Sequence, residues 1–167
     1  MNSSMSPRGR AAQLIAALGL APHPEGGYFA EVHRSAVSVK PNDGRSARPA
    51  LTSIYFLLPA GAVSRWHRVL SDEVWHFYEG APLDLWTAAP GGGSAQRCRV
   101  GPHGEGQQAV AIVPAGWWQA ARSTGEYSLV GCTVGPGFEF QDFTMAADLP
   151  EIVAVFRARN GVFAELL

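Results

Sequence analysis

The stretch SRWHRVLSDEVWHFYEG, residues 64–80, decides the fold prediction because it reads as two short strands joined by a polar turn. Side chains of a strand point alternately to its two faces, so Arg65 and His67 are predicted to share one face of the first strand. Glu73 and Trp75 share a face of the second strand in the same way. If the two strands pair as neighbours, His67 and Glu73 converge on one pocket with Trp75 as its wall.

The rest of the chain extends this pattern of short strands. From Leu51 to Val134, apolar runs alternate with Gly- and Pro-containing turns at spacings of roughly 8 to 12 residues. The chain has 19 glycines and 12 prolines in 167 residues, which is typical of many short strands joined by tight turns. The pattern predicts an all-β sandwich or barrel.

Helical patterns occur only near the two ends of the chain. A Ser-Pro start and a Gly stop predict an N-terminal helix over about residues 7–19. An Asp-Leu-Pro start predicts a second helix over about residues 148–157. The strands between them, about residues 27–145, would form the barrel, and residues 1–167 are interpreted as a single domain.

The charge balance excludes several classes of partner. Thirteen Lys and Arg residues against 14 Asp and Glu residues give a formal charge of −1, which offers no electrostatic basis for binding nucleic acid or an anionic membrane. The sequence has no apolar run of about 18 residues that would span a membrane. Residues 1–10 also lack the apolar segment of a secretory signal. We therefore expect a cytoplasmic protein.

The reactive residue types exclude further chemistry. Lys40 is the only lysine and lies in a polar stretch, which argues against a P-loop or a Schiff base. Cys98 and Cys132 occur without a CxxC pair or a nearby cluster of Cys and His, so a sulfur-rich zinc site is excluded. Both cysteines lie in apolar stretches and are expected to be small buried hydrophobes.

The pair formed by His67 and Glu73 supports two kinds of chemistry. An imidazole and a carboxylate in an aromatic-lined cavity can be tuned as a general acid and base. The same two groups can be ligands of a metal ion. A second segment, residues 113–119, turns through Pro and Gly into a strand, and Gln119 is the first polar side chain that it could direct inward.

These two segments resemble the two motifs of the cupin superfamily. The first motif, G-x5-H-x-H-x3/4-E-x6-G, is matched except at its second histidine, where the sequence has Val69; the matching residues are Gly61, His67, Glu73 and Gly80. The second motif, G-x5-P-x-G-x2-H-x3-N, is matched at Pro114 and Gly116, whereas its Gly, His and Asn positions are occupied by Gln108, Gln119 and Ser123. Two of the usual metal-binding histidines are therefore replaced.

The chain is more similar to one cupin subfamily, the small proteins described as predicted sugar epimerases. The similarity is carried in order by HPEGGYF at 23–29, SRWHR at 64–68, DEVWHFY at 72–78 and GCTVGPGFEF at 131–140. It extends over about residues 14–147. The resemblance implies a double-stranded β-helix (jelly roll), a homodimer and a ligand cavity inside the barrel.

The resemblance also implies a function, which we interpret as metal-independent epimerisation or isomerisation of a sugar or sugar derivative. His67 would act as the base, with Glu73 or a tyrosine as the opposite acid. Arg65 or Gln119 would stabilise the oxyanion. Two alternatives stay open. One is a metal-dependent oxygenase or isomerase in which His67, Glu73 and Gln119 hold a weakly bound divalent metal. The other is a non-catalytic barrel that binds a sugar or another small ligand.

Several further side chains are interpreted from their positions. We expect the ligand-binding residues to be Arg65, Trp66, Trp75 and Gln119, because a guanidinium binds anions and an indole stacks on a sugar ring. His23 and His103 lie in Gly- and Pro-rich loops and are expected to be exposed. Residues 136–140 read as a corner that shapes the fold, from which Glu139 could reach the mouth of the barrel.

Overall fold

The computed structural model describes residues 9–159 and 161–167. The strands in this part of the chain are β1 Ala21–Pro22, β2 Tyr28–Arg34, β3 Ser38–Val39, β4 Arg48–Pro49, β5 Thr52–Pro59, β6 Val63–Val69, β7 Asp72–Gly80, β8 Leu83–Ala88, β9 Gln96–Val100, β10 Val110–Val113, β11 Trp118–Ser123, β12 Tyr127–Gly135 and β13 Phe143–Met145. The helices are α1 Gly9–Ala17, α2 Pro150–Arg159 and α3 Val162–Glu165, with 3-10 turns at Phe140–Asp142 and Ala146–Asp148.

The strands form two antiparallel sheets of a jelly roll. The first sheet has the order β1-β2-β5-β12-β7-β10 and the second has the order β13-β6-β11-β8-β9, while β3 and β4 pair separately. The chain crosses from one sheet to the other between β5, β6, β7 and β8, so consecutive strands supply facing walls. The all-β prediction is therefore confirmed.

Three apolar clusters hold the layers together. The cluster between the sheets includes Phe56, Leu85 and Val130. A second cluster lies on the outer face of the second sheet, where Trp66 and Trp118 pack against α2 and α3. A third joins α1 to the outer face of the first sheet. Each sheet is thus covered by helix on one side and faces the other sheet on its other side.

The ends of the chain differ in detail from the sequence prediction. The predicted start of the first helix, at residue 7, lies outside the described residues, and α1 is helical from Gly9 to Ala17. The second helix begins at Pro150 rather than Asp148, because Ala146–Asp148 form a 3-10 turn. The short helix α3 was not predicted, since four residues are too few to show a helical period. In the described part of the chain no helix is both long and apolar enough to cross a membrane.

Candidate functional site

A cavity lies between the two sheets and opens to solvent. Its space, including the part that is open to solvent, is about 690 Å³. Strands of both sheets line it, together with the loop before β2 and the corner after β12. Much of its wall is aromatic, supplied by Phe29, Phe56, Phe138, Phe140 and Phe143. His67 and Glu73 both line this cavity, so the structure brings the predicted pair into one space.

His67 is held in one orientation on β6. Its ring is buried and stacks on Phe143, with 5.3 Å between ring centroids. Nδ1 lies 2.7 Å from the backbone carbonyl oxygen of Arg65, and a carbonyl can only accept, so Nδ1 carries the proton. In the neutral ring Nε2 is then the basic nitrogen, and it lies 3.1 Å from Oε2 of Glu25.

Glu25 reaches His67 from the turn before β2. Gly26 and Gly27 have φ values of +115° and +72°, and a Cβ at Gly26 would overlap the carbonyl oxygen of Val63. Two glycines therefore let the loop lie against β6 and place Glu25 inside the barrel. There, Ser64 donates its hydroxyl proton to Oε1 of Glu25 at 2.7 Å.

Burial acts on the protonation of both Glu25 and His67. Burial raises the pKa of Glu25 above its ordinary range and lowers the pKa of His67, because each charged form is poorly solvated there. Both shifts favour the uncharged pair, in which the Glu25 carboxylic acid donates to Nε2 of His67. Glu25 was not among the predicted site residues. The sequence feature that could have indicated Glu25 is the segment HPEGGYF at 23–29, in which this acidic residue stands directly before two glycines.

His23 lies beside this pair, and its predicted exposure is wrong. Its side chain is only 7 % exposed, since the loop folds inward and the ring packs edge-on against Phe29 at 4.6 Å between centroids. Nδ1 accepts the backbone N–H of Glu25 at 3.2 Å, so the neutral ring carries its proton on Nε2. Burial lowers the pKa of His23, which keeps the ring neutral. His103 is exposed, as predicted.

Glu73 faces the pair from β7 in the other sheet. Its Oε2 accepts from Nε2 of Gln119 at 2.5 Å, and Oε1 of Gln119 accepts from the indole N–H of Trp75 at 3.0 Å. An indole N–H can only donate, so Trp75 fixes which end of the amide faces Glu73. Burial is the largest cause that acts on Glu73, and it raises the pKa of this carboxyl group. Trp75 and Gln119 thus support Glu73 from behind and lie outside the cavity lining.

The mouth of the cavity carries an ion-pair cluster. Arg34 on β2 donates from Nε and Nη2 to the two carboxylate oxygens of Glu31, each at 2.9 Å. Its Nη1 donates to Oε1 of Glu139 at 3.0 Å, and Nη2 also donates to the carbonyl oxygen of Phe138 at 3.4 Å. The corner after β12 therefore does bring Glu139 to the mouth, as the sequence suggested.

The structure corrects the placement of Trp66 and Arg65. Gln119 pairs with His67 and Ala121 pairs with Ser64, so β6 contains one residue more than β11 between these pairs. This β-bulge breaks the period-two alternation, and Ser64 joins His67 on the side of Glu25. Trp66 lies on the opposite face and stacks on Phe163 in the outer cluster, so it does not line the cavity.

Arg65 holds the loop before β2 instead of facing a ligand. Its Nη2 donates to the carbonyl oxygen of Pro24 at 2.7 Å and its backbone N–H donates to that of Glu25 at 2.9 Å. These bonds fix the loop that carries His23 and Glu25. Arg65 is a positioning residue because it contacts the backbone of this loop and lies outside the cavity lining.

The residues at the cupin metal positions do not fit a metal ion. His67 presents Nε2 to Glu25, Val69 offers no donor atom, and the amide oxygen of Gln119 is bound by Trp75. One oxygen of Glu73 accepts from the amide nitrogen of Gln119. Across residues 9–159 and 161–167, no three His, Cys, Asp or Glu side chains are grouped as metal ligands. The predicted ligand set of His67, Glu73 and Gln119 therefore does not form a common binding point.

Comparison with known proteins places this cavity in a family. The model of the family described as Cupin superfamily (DUF985) matches residues 12–146. A hypothetical protein from Leishmania major is 33 % identical, with a TM-score of 0.82 over 94 % of this chain and 97 % of that chain. A Shewanella oneidensis protein is 32 % identical, with a TM-score of 0.82 over 95 % of this chain and 98 % of that chain. No curated protein matches the sequence.

More distant structures share the fold alone. An oxalate decarboxylase variant from Bacillus subtilis is 16 % identical, with a TM-score of 0.55 over 84 % of this chain and 34 % of that chain. A cupin barrel protein from Rhodopseudomonas palustris is 12 % identical, with a TM-score of 0.52 over 89 % of this chain and 97 % of that chain. The family match covers most of the chain and both similar structures are nearly coextensive with it, so the protein belongs to the cupin superfamily, in the family described as DUF985.

Proposed function

We propose that the protein binds a small carbonyl compound, a sugar or sugar derivative, in the cavity and isomerises or epimerises it by proton transfer without a metal. The observation that carries this proposal is the orientation of His67. Because Nδ1 donates to the Arg65 carbonyl, the basic Nε2 and the proton of Glu25 lie together at the cavity wall. Such a pair can accept a proton from a carbon next to a carbonyl group.

The proposed first step moves one proton from the substrate to the pair. Glu25 passes its proton to Nε2 of His67 while an oxygen of Glu25 takes the proton from carbon. The electron pair of the broken C–H bond stays on the substrate as an enolate, and the pair gains one proton in total. His67 accepts a proton in this step and becomes an imidazolium, so it holds the positive charge that the pair gains.

The second step returns a proton to the substrate. Glu73 lies on the facing sheet, and burial raises its pKa, which favours the acid form that could protonate the enolate from the other side. Protonation by Glu73 would invert the carbon centre and leave Glu73 ionised with the extra proton still on the Glu25–His67 pair, so both groups exchange protons with water before the next turnover. Return of the proton from the pair to a neighbouring atom would isomerise the substrate and restore the pair. His23 is the oxyanion donor in this scheme because its neutral ring carries a proton on Nε2.

We also propose that the chain forms a homodimer, as the family resemblance implies. Exposed apolar side chains on outer strands of the first sheet support this proposal: Val32 on β2 is 52 % exposed and Ile112 on β10 is 65 % exposed. A second subunit could cover such side chains. Light scattering on a size-exclusion column measures the mass directly, and a monomer at micromolar concentration would contradict this proposal.

The test of the activity is exchange of the α-hydrogen of candidate substrates with deuterium oxide. A panel of keto-sugars, aldoses and nucleotide sugars is incubated with the protein and followed by mass spectrometry and proton NMR. We expect exchange of at least one compound with the parent protein and a loss of about 100-fold or more in His67→Gln. His76→Gln is the matched control, because His76 alternates with Glu73 and Trp75 on β7 and lies outside the cavity lining.

The non-catalytic alternative gives a different result in the same samples. A ligand that binds the parent protein and exchanges no hydrogen would identify a binding barrel. Exchange that persists unchanged in His67→Gln would contradict the role of the pair.

A further inference from the structure

The charge of the cavity restricts the ligand that can enter it. Four carboxyl groups line the cavity, two at its mouth and two inside: Glu31, Glu139, Glu25 and Glu73. Among the lining residues that the structure describes, Arg34 is the one permanent cation. The lining therefore carries at least one negative charge more than it carries positive charge, even when both inner carboxyl groups are protonated.

The single cation of the lining is already bound. All three nitrogens of Arg34 donate hydrogen bonds, to both oxygens of Glu31, to Glu139 and to the Phe138 carbonyl oxygen. An anionic ligand would have to displace two carboxylates to reach this guanidinium. Arg34 therefore links β2 to the corner after β12 at the mouth instead of offering an anion site.

The neighbouring arginines are occupied elsewhere. Arg65 donates to backbone carbonyls of the loop before β2. Arg48 is buried against Asp142, and Arg68 lies over the ring of Trp118 on the other face of the second sheet. The two inner histidines, His23 and His67, are kept neutral by burial. Among the residues that the structure describes, a phosphate or carboxylate inside the cavity would thus find no free cation to balance its charge.

The remaining wall is apolar and aromatic. Phe29 and Phe56 lie deep in the cavity beside His23, while Phe138 and Phe140 stand at the mouth with 5.0 Å between ring centroids. Aromatic faces attract apolar rings and also cations, because the face of a ring carries partial negative charge. The carboxylates of Glu31 and Glu139 stand at the mouth beside these rings.

We infer that the cavity selects an uncharged or cationic small molecule with a ring-sized apolar body and rejects anionic ligands such as sugar phosphates and nucleotide sugars. A cationic or hydrogen-bond-donating end of the ligand lies towards the mouth, where the two carboxylates of Glu31 and Glu139 outnumber the single guanidinium of Arg34. Its apolar body lies against the phenylalanines. This inference deepens the proposed function, since it names the class of substrate for the same cavity. It narrows the exchange panel to uncharged and amino-bearing carbonyl compounds.

The test uses three probes that share one apolar ring and differ in charge: benzylammonium, benzyl alcohol and benzoate. Binding to the full-length protein is measured by ligand-observed NMR and by shifts of the tryptophan indole signals. We expect benzylammonium to bind about fivefold more tightly than benzyl alcohol, and benzoate to bind more weakly than benzyl alcohol by at least the same factor. Added salt should reduce both differences. Glucose and glucose 6-phosphate form a second pair, in which the phosphate ester should bind more weakly.

Two double variants locate the source of the preference. Glu31→Gln with Glu139→Gln removes the carboxylates at the mouth, so the preference for benzylammonium should disappear while benzyl alcohol binds as before. Glu105→Gln with Glu151→Gln makes the same change in net charge at exposed positions outside the cavity lining and should keep the preference.

Three results would overturn the inference. They are binding of benzoate or glucose 6-phosphate at least as tight as that of the uncharged counterpart, an unchanged preference in the mouth variant, and no binding of any ring probe at millimolar concentration. The exchange test of the proposed function is independent of these results. Binding of cations without hydrogen exchange would contradict only the proposed catalysis. Hydrogen exchange of a phosphorylated substrate would contradict only the proposed class of ligand.

Discussion

Strand β6 has two buried faces with different chemistry. On the outer face, Trp66 stacks on Phe163 at 5.1 Å between centroids and donates its indole N–H to the Val162 carbonyl oxygen at 3.1 Å. On the inner face, the next residue, His67, is equally buried but meets the carboxyl group of Glu25. On the outer face, apolar surface is buried and the indole nitrogen of Trp66 has a hydrogen-bond partner. On the inner face, an imidazole and a carboxyl group face each other in a cavity. The degree of burial does not distinguish a residue that packs the core from one that takes part in chemistry. The partners of the buried polar atoms make this distinction.

The largest effect should follow from breaking the outer face. Trp66→Ala removes a fully buried indole, and we expect the free energy of unfolding to fall by about 3–5 kcal/mol. Phe140→Ala is the matched aromatic change at the cavity mouth, where the side chain is 56 % exposed, and it should cost less than about 1 kcal/mol. Urea unfolding followed by circular dichroism measures both. Equal losses would contradict the assignment of stability to the outer cluster.

The second effect should appear on the inner face and in activity. Glu25→Gln replaces the carboxyl group with an amide, which can still donate to Nε2 of His67 and accept from Ser64. We expect the unfolding free energy to change by less than about 1 kcal/mol, because both hydrogen bonds are kept. Hydrogen exchange of a substrate should fall by about 100-fold or more, because an amide cannot pass on a proton.

The control for Glu25→Gln is Glu151→Gln, an exposed carboxylate on α2. It should leave both the exchange rate and the stability unchanged. A variant at Glu25 that exchanges substrate hydrogen at the parental rate would show that His67 works without this partner.

The third effect tests the support behind Glu73. Gln119→Leu leaves the indole N–H of Trp75 buried without an acceptor, and we expect a loss of about 1–3 kcal/mol in unfolding free energy. In the Trp75→Phe background that N–H is absent, so the same leucine should cost less. A double-mutant cycle measured by chemical unfolding gives the coupling energy of the pair. A coupling near zero would show that the amide is not oriented by the indole.

The fold, and the convergence of His67 and Glu73 on one cavity, could be predicted from the sequence for a physical reason. Alternation along a strand is a local property, so the facing side chains of His67 and Glu73 could be predicted from their own strands. The bulge in β6 inserts one residue without a sequence signal, so Arg65 does not line the cavity beside His67 as its spacing predicted. Trp66 lies opposite His67, as ordinary alternation requires, so its expected role in ligand binding was wrong for a different reason. The contribution of Glu25 depends on contacts with Ser64, which lies 39 positions away in the chain. Such long-range contacts cannot be predicted from the composition of a turn.

The smallest effect concerns the pH dependence of stability and separates a buried carboxyl group from an exposed one on the same strand. Burial raises the pKa of Glu73 above its ordinary value of 4.5, so the folded chain holds a proton that the unfolded chain releases. The stabilising contribution of Glu73 is therefore complete below pH 4.5 and is lost as the pH rises through the raised pKa. Glu73→Gln lacks this proton. The unfolding free energy of the parent minus that of the variant should fall as the pH rises, by at most about 1.4 kcal/mol per pH unit.

Glu79 on the same strand gives the opposite sign and serves as the control. Hydrogen bonds from Arg10 and Tyr127 lower its pKa from 4.5 to about 2, so its contribution is complete above pH 4.5 and is lost as the pH falls through that window. The difference between the parent and Glu79→Gln should therefore rise with pH. His23 is present in all three proteins, so its own pH dependence largely cancels in both differences. The charge of Glu73 acts on the pKa of His67, so the Glu73→Gln difference reports the titration of Glu73 together with its effect on His67. Both differences in unfolding free energy are measured between about pH 3 and 8, a range that includes the ordinary pKa values of Glu and His. If the two differences change with pH in the same direction, Glu73 is not held as an uncharged acid in the cavity.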